Sequence, residues 1–364
     1  MAEDSNPQES GRRNFIKTAG VGLAAGGALL SGTAPVAARA LTDKEKVARI
    51  ASNTWPARSL FKRREGGRPP GEEAVAMKKK YGEITMMDFA QFTKDTWAGV
   101  THMDLWSSLF GDFTDDSMFE EKTWTRGERT RTFWEFDPST AGAKKWLDKL
   151  ANKNASVGVQ CVHVSNNAPR DISDLDEEKR KAGIQVAKNW MDAAATLGAK
   201  TMRVNTGGPR VAPCATTETG YPKNDEIVKY LDVGIDSFKQ MAEYGEKVGV
   251  AVTIENHWGL SADPMIIRVI LDEVNSPFAK ASPDFCNWEH EYHLYHGLKA
   301  LVPYCTTIVH AKYWDRWDEV DVQRCVRIME DGGYKGWYAL EYEAGPWDGI
   351  EGANYLFKEV LAAL

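Results

Sequence analysis

The stretch Thr253-Ile254-Glu255-Asn256-His257-Trp258-Gly259 decides the fold. An apolar run from Val248 to Ile254 stops abruptly at a carboxylate, an amide, an imidazole and an indole. A buried strand has no packing use for such groups, whereas a barrel strand carries its chemistry at the carboxyl end. A solvated loop would open in the same way. The test is whether other strands end alike.

Working outward, seven further apolar or alternating runs read as strands: Val47–Asn53, His102–Leu105, Val157–His163, Thr201–Asn205, Ala281–Phe285, Thr306–His310 and Trp337–Glu341, beside Gly249–Glu255. Helical patterns lie between and after them, at Met86–Gly99, Ala141–Asn152, Asp174–Leu197, Asp225–Val248, Pro264–Val274, His290–Leu301, Glu319–Gly332 and Trp347–Leu364. Asp263-Pro264 supplies a cap with proline at the first helical position, and Gly198 and Gly332-Gly333 mark helix ends. Strictly alternating strands and helices predict a (β/α)8 TIM barrel. A doubly wound sheet is the rival, but no GxGxxG follows the first strand. Arg58–Tyr81 and Gly111–Pro138 read as irregular insertions.

Strand side chains alternate, so counting back in twos from each terminal polar residue identifies the inward face. Glu255 brings Thr253 and Ala251 inward and leaves Ile254 and Val252 for the helices. The same count from Asn205, Asp284, His310 and Glu341 gives polar inward ends. His163 brings Cys161 and Val159 inward. That strand fits least well, because Gln160 then falls on the face that should meet a helix.

Glu255, Asp284, His310 and Glu341 thus end four consecutive predicted strands. Three carboxylates gathered at one point repel unless a cation lies among them. Mostly oxygen ligands with one nitrogen suit a divalent metal: Mn²⁺ first, with Mg²⁺, Co²⁺ or Zn²⁺ as alternatives. Taken singly, each residue reads equally well as a loop cap or a surface ion pair.

Ile254-Glu255-Asn256-His257, Ser282-Pro283-Asp284-Phe285-Cys286-Asn287, Val309-His310-Ala311-Lys312 and Gly333 to Trp337 leading into Leu340-Glu341-Tyr342-Glu343 also carry a resemblance. Over essentially all of residues 41–364 the chain resembles the xylose-isomerase-like barrel superfamily, which includes sugar phosphate isomerases/epimerases and ketose 3-epimerases. The resemblance implies Glu255, Asp284, His310 and Glu341 as metal ligands, with Glu343 as a weaker alternative to Glu341. It implies a substrate contact at Arg316, six residues after the metal histidine. Asn287 stands where the family often has histidine.

The implied chemistry is isomerisation or epimerisation of a sugar. A metal chelated by adjacent sugar oxygens acidifies a C–H bond, and two glutamates, here Glu255 and Glu341, remove and return the proton through an enediolate. His163, His257 and Lys312 are candidates for orienting hydroxyls or stabilising the oxyanion. Asn205 and Asn287 join them as substrate contacts. Trp258 does so as one of several indoles after strand ends (Trp55, Trp106, Trp288, Trp314, Trp347), each of which would otherwise simply fill a gap between loops. Asn205-Thr206-Gly207-Gly208-Pro209 reads as a turn before it reads as a phosphate cradle. The His293/His296 pair lacks the HExxH order of a metal site. The rival functions are a lyase or hydrolase on keto-glycosides using the same metal, and a non-catalytic sugar-binding barrel.

The 364-residue chain has 45 basic and 52 acidic residues, a net charge of −7. That balance argues against nucleic acid as partner. The basic run Lys62 to Arg68 with Lys78 to Lys80 reads as a solvated loop. Gly11-Arg12-Arg13-Asn14-Phe15-Ile16-Lys17 resembles a twin-arginine export motif, followed by an apolar run too short to span a membrane and by Ala38-Arg39-Ala40 as a cleavage site. The expectation is a signal peptide over residues 1–40 and one barrel over 41–364, exported to the periplasm or beyond, with no stable membrane insertion after cleavage and homo-oligomerisation left open. Cys161, Cys214, Cys286, Cys305 and Cys325 form no CxxC pair and are assigned no chemistry.

Overall fold

All eight predicted strands form, and they lie side by side in one parallel sheet. The computed structural model describes residues 40–64, 69–126, 129–209, 224–318 and 320–364; the twin-arginine motif and Cys214 fall outside them. The strands are β1 (Ile50–Asn53), β2 (His102–Trp106), β5 (Gln160–Ser165), β6 (Thr201–Arg203), β7 (Ala251–Ile254), β8 (Ala279–Ala281), β9 (Ile308–Trp314) and β10 (Trp337–Ala344). Their order in the sheet is β8-β7-β6-β5-β2-β1-β10-β9, with β10 pairing back to β1. The two end strands meet through isolated bridges at Ala281↔Cys305 and Asp284↔His310, the second of which joins two of the proposed ligands.

Local chemistry explains the helices between them. Pro264–Val274 begins under Asp263, whose carboxylate accepts from Met265 N at 2.7 Å, and ends at Asn275 with φ of 46°. Gly349–Ala363 begins with a reciprocal Asp348/Glu351 capping box. Inside the barrel, Ala51, Val162, Ile308 and Ala339 form a small apolar layer beneath the site, with Trp337 against it. Outward residues such as Met202, Ile254 and Leu340 belong to the larger core shared with the helices.

The structure corrects several boundaries. The first strand starts at Ile50 rather than Val47, because Thr42 and Glu45 cap a short helix over Asp43–Val47. The sixth ends at Ala281: Pro283 has no N–H for the ladder, though its carbonyl accepts from His310 N at 3.0 Å. In the third, Met103 pairs with Cys161 but Asp104 pairs with His163, which leaves Val162 as the extra residue of a β-bulge. Val162 and His163 therefore both face inward and Cys161 joins the outer core. The bulge removes the misfit at Gln160.

The two insertions are more ordered than expected. Gly111–Pro138 contains an antiparallel hairpin, β3 (Phe119–Arg126) with β4 (Arg129–Phe136), and Arg58–Tyr81 contains the helix Glu72–Tyr81. Among the described residues, no helix is long and apolar enough to cross a membrane. Cys161, Cys286, Cys305 and Cys325 are buried free thiols.

Candidate active site

The carboxyl ends of the strands surround a cavity of about 290 Å³. Its wall includes Asn53 and Trp55 at and after the end of β1, Trp106 from β2, Ser165 and Asn167 at and after β5, Arg203 and Asn205 at and after β6, His257 and Trp258 after β7, Asn287 after β8, Lys312 and Trp314 from β9, and Glu341 and Glu343 from β10. Six strands and the segments after the other two contribute to one polar chamber, as the alternation required.

Below it, ligand atoms of Glu255, Asp284 and His310 lie within 4.8 Å of one another, all buried. His310 Nδ1 is 3.1 Å from Glu255 Oε2 and 3.7 Å from Glu341 Oε2, so Glu341 stands at the rim of the same group. His310 Nδ1 and Asp284 Oδ2 are fully buried and make no hydrogen bond of good geometry, their nearest charged neighbours being Glu255 Oε2 at 3.1 Å and Lys312 Nζ at 3.0 Å. Buried carboxylates and an imidazole this closely gathered fit a divalent cation: Glu255, Asp284, His310 and Glu341 offer three oxygen donors and one nitrogen.

Five residues not foreseen as part of the site hold this group in shape. Asp104, in the middle of β2, accepts from Asn53 Nδ2 at 2.8 Å and from Ser165 Oγ at 2.8 Å, and its Oδ2 lies 3.0 Å from His310 Nε2. Arg203 Nη1 donates to Glu255 Oε2 at 2.6 Å and its Nη2 to Asn167 at 2.7 Å. Asp104 and Arg203 could have been found in the sequence, since both are charged residues inside short apolar strands, where packing gives no reason for a charge.

The electrostatics follow from these contacts. Burial alone would raise Glu255, but Arg203 and His310 hold it well below the carboxylate range. Burial alone would lower His310; Glu255, Glu341 and the bond to Asp104 hold it well above the usual value. Lys312 Nζ lies 3.0 Å from Asp284 Oδ2, 3.0 Å from Glu341 Oε1 and 3.3 Å from Glu343 Oε2. Those carboxylates keep its ammonium charged against burial. Asp284 is raised by burial, with Lys312 opposing.

The remaining predicted contacts divide. Asn287 joins the two halves, donating to Glu255 Oε1 at 2.8 Å and accepting from Lys312 at 2.9 Å. Asn205, His257, Trp258 and Lys312 are on the cavity wall. His163 is not: it lies fully buried, with Nδ1 2.8 Å from Thr201 Oγ1 and Nε2 unpartnered. Arg316 is also off the wall, its guanidinium 4.4 Å from the ring centres of both Trp314 and Trp317. Of the six indoles, Trp288 is buried and Trp347 stacks on Tyr355; Trp55, Trp106, Trp258 and Trp314 face the cavity. Gly208 N–H is taken up by the Asp171 carboxylate rather than left for a phosphate. Among the described residues, the buried groups able to hold an ion are Glu255, Asp284 and His310 and the overlapping Asp104, His163 and His310; neither includes His293 or His296.

The family model for xylose isomerase-like TIM barrels matches residues 126–362. The chain belongs to this family. Solved structures similar to this chain include 3-keto-D-glucoside 4-epimerase from E. coli, 12% identical, with a TM-score of 0.55 over 85% of this chain and 99% of that one. D-Allulose 3-epimerase from Methylomonas is 13% identical, with a TM-score of 0.54 over 77% and 94%. A xylose isomerase-like TIM barrel protein from Mycobacterium smegmatis in complex with magnesium is 14% identical, with a TM-score of 0.54 over 88% and 98%. At such identities the likeness establishes the fold alone. No curated protein matches the chain.

Proposed function

We propose that this family member is a divalent-metal-dependent isomerase or epimerase of a sugar or sugar derivative. The observation that carries the reading is the buried Glu255, Asp284 and His310 group, its ligand atoms within 4.8 Å of one another, opening through Glu341 into a cavity walled by indoles and amides. The family, and the sugar epimerases among the similar structures, support the same direction. Glu255, Asp284, His310 and Glu341 would hold the ion, with Mn²⁺ the first choice. Bound there, the ion supplies Lewis acidity toward a sugar carbonyl.

The chain's own groups do the rest. Glu341 reaches the cavity wall and is placed to take a proton from the substrate. Glu255, pinned by Arg203 and Asn287 beside His310 Nδ1, completes the pair. Lys312 is a fixed positive charge at the wall, suited to an oxygen that gains negative charge. Asn205, Asn287 and His257 offer hydrogen bonds to hydroxyls, and Trp258 and Trp314 offer flat apolar faces for a ring. We further propose that the chain is exported through its twin-arginine leader.

Deuterium incorporation tests the reading. With Mn²⁺ and candidate sugars in D₂O, deuterium at one carbon without bond cleavage supports it. Release of an aglycone would assign the site to a lyase or hydrolase of keto-glycosides instead. Binding without turnover that survives Glu255→Gln would make the barrel a sugar-binding protein.

A further inference from the structure

A second cavity, of about 440 Å³, shares Trp55 and Trp106 with the first. The two indoles meet edge to face, with ring centres 4.6 Å apart, and form the partition between the chambers. The second chamber is lined by Arg58, Lys62, Arg63 and Arg64, four cations within seven residues of a chain whose net charge is −7.

These cations do not belong to a loose loop. Arg58 lies 4.2 Å from the Trp55 ring centre and donates to Trp55 O at 2.9 Å. Lys62 N donates to Ile84 O at 2.8 Å, and Phe61 bridges Ile84. Arg64 sits against the rings of Phe119 and Trp134 and pairs with Asp116. Asp112 lies near enough to Lys62 to feel its charge. Among the described residues, Arg58, Lys62 and Arg63 have no carboxylate in salt-bridge contact, so the chamber keeps an excess of positive charge.

We infer that this chamber is a subsite for an acidic group, a carboxylate or other oxyanion, carried one unit away from the sugar that occupies the main cavity. The substrate class is then an acidic glycoside or oligosaccharide. Its neutral ring stacks on the indole partition and its anion faces Lys62 and Arg63. The inference rests on the proposal that the main cavity binds a sugar.

Calorimetric binding of cellobiouronic acid and of cellobiose to the Mn²⁺-loaded protein tests it. The expected result is a preference of about three- to tenfold for the acid, in keeping with exposed ion pairs worth up to roughly 1 kcal/mol each. That preference shrinks as salt rises from about 0.01 M to about 1 M and the screening length falls from about 30 Å to about 3 Å. It falls to near unity in Lys62→Ala/Arg63→Ala. It persists in Lys79→Ala/Lys335→Ala, which removes the same charge elsewhere. Equal affinities in the wild type would overturn the subsite and leave the sugar site standing. If neither compound binds, the sugar site itself is overturned, and the subsite with it.

Discussion

Asp104 and His310 stand 206 positions apart in the chain, yet Asp104 Oδ2 lies 3.0 Å from His310 Nε2 and both side chains are fully buried. The contact fixes which ring nitrogen faces Glu255. With Nε2 committed to Asp104, Nδ1 is left to point at the carboxylate group, as a metal-ligating histidine requires.

Asp104→Asn keeps the shape and removes the charge. Mn²⁺ affinity, titrated directly on the folded protein, should fall about 10- to 100-fold. An unchanged affinity would reduce Asp104 to a packing residue.

Glu341 is the carboxylate of the proposed pair on the cavity wall. Glu341→Gln should slow deuterium exchange into the substrate by about 10²- to 10⁴-fold. Because Glu341 also pairs with Lys312 and Asn53, the comparison is made below the melting range of the variant, on protein shown to be folded by circular dichroism. Exchange that persists in the variant would move the base elsewhere, with Glu343 next to be tested.

Lys312 is 2% exposed and neutralises parts of three carboxylates. Lys312→Met leaves them uncompensated, and removing one partner of a buried ionic group costs about 3–5 kcal/mol. Chemical denaturation of the metal-free variant should show a loss of that order. Mn²⁺ should restore more stability to the variant than it adds to the wild type, because the ion replaces the missing charge.

His163 is fully buried, and burial lowers it from 6.5 to about 4. The unfolded chain therefore binds a proton at a higher pH than the folded one. The stability that follows is present above pH 6.5 and is lost as pH falls from 6.5 toward 4. The shift corresponds to roughly 3 kcal/mol at about 1.4 kcal/mol per unit. His163→Gln should lose less stability than the wild type across that interval, as urea midpoints at its two ends would record. Parallel curves would mean that His163 does not titrate with folding.

Much of this was readable because two periods in the sequence are physical. Alternation by twos marked the inward residues of β7, β9 and β10, and their polar carboxyl ends located Glu255, His310 and Glu341 before any coordinate did. The same rule failed where its premise failed. The β5 bulge shifts the alternation by one at Val162, and a bulge is set by how two strands pair, which one strand's sequence does not express. The hairpin at Phe119–Phe136 was missed, its segment read as an irregular insertion, although Arg129-Thr130-Arg131-Thr132 alternates as a strand does; an isolated two-stranded unit gives little reason to expect one.

By itself, the sequence determined the eight strands, the helices between them and the acids and imidazole at the barrel mouth, because burial and backbone geometry act over a few residues at a time. Only the tertiary structure decided that Asp104 would orient His310, that Lys312 would lie among Asp284, Glu341 and Glu343, that His163 would sink below the cavity, and that Arg316 would stack on tryptophan. Each of these depends on side chains from strands far apart in the chain meeting within a few ångströms, where charge and hydrogen bonding act only once the barrel has closed.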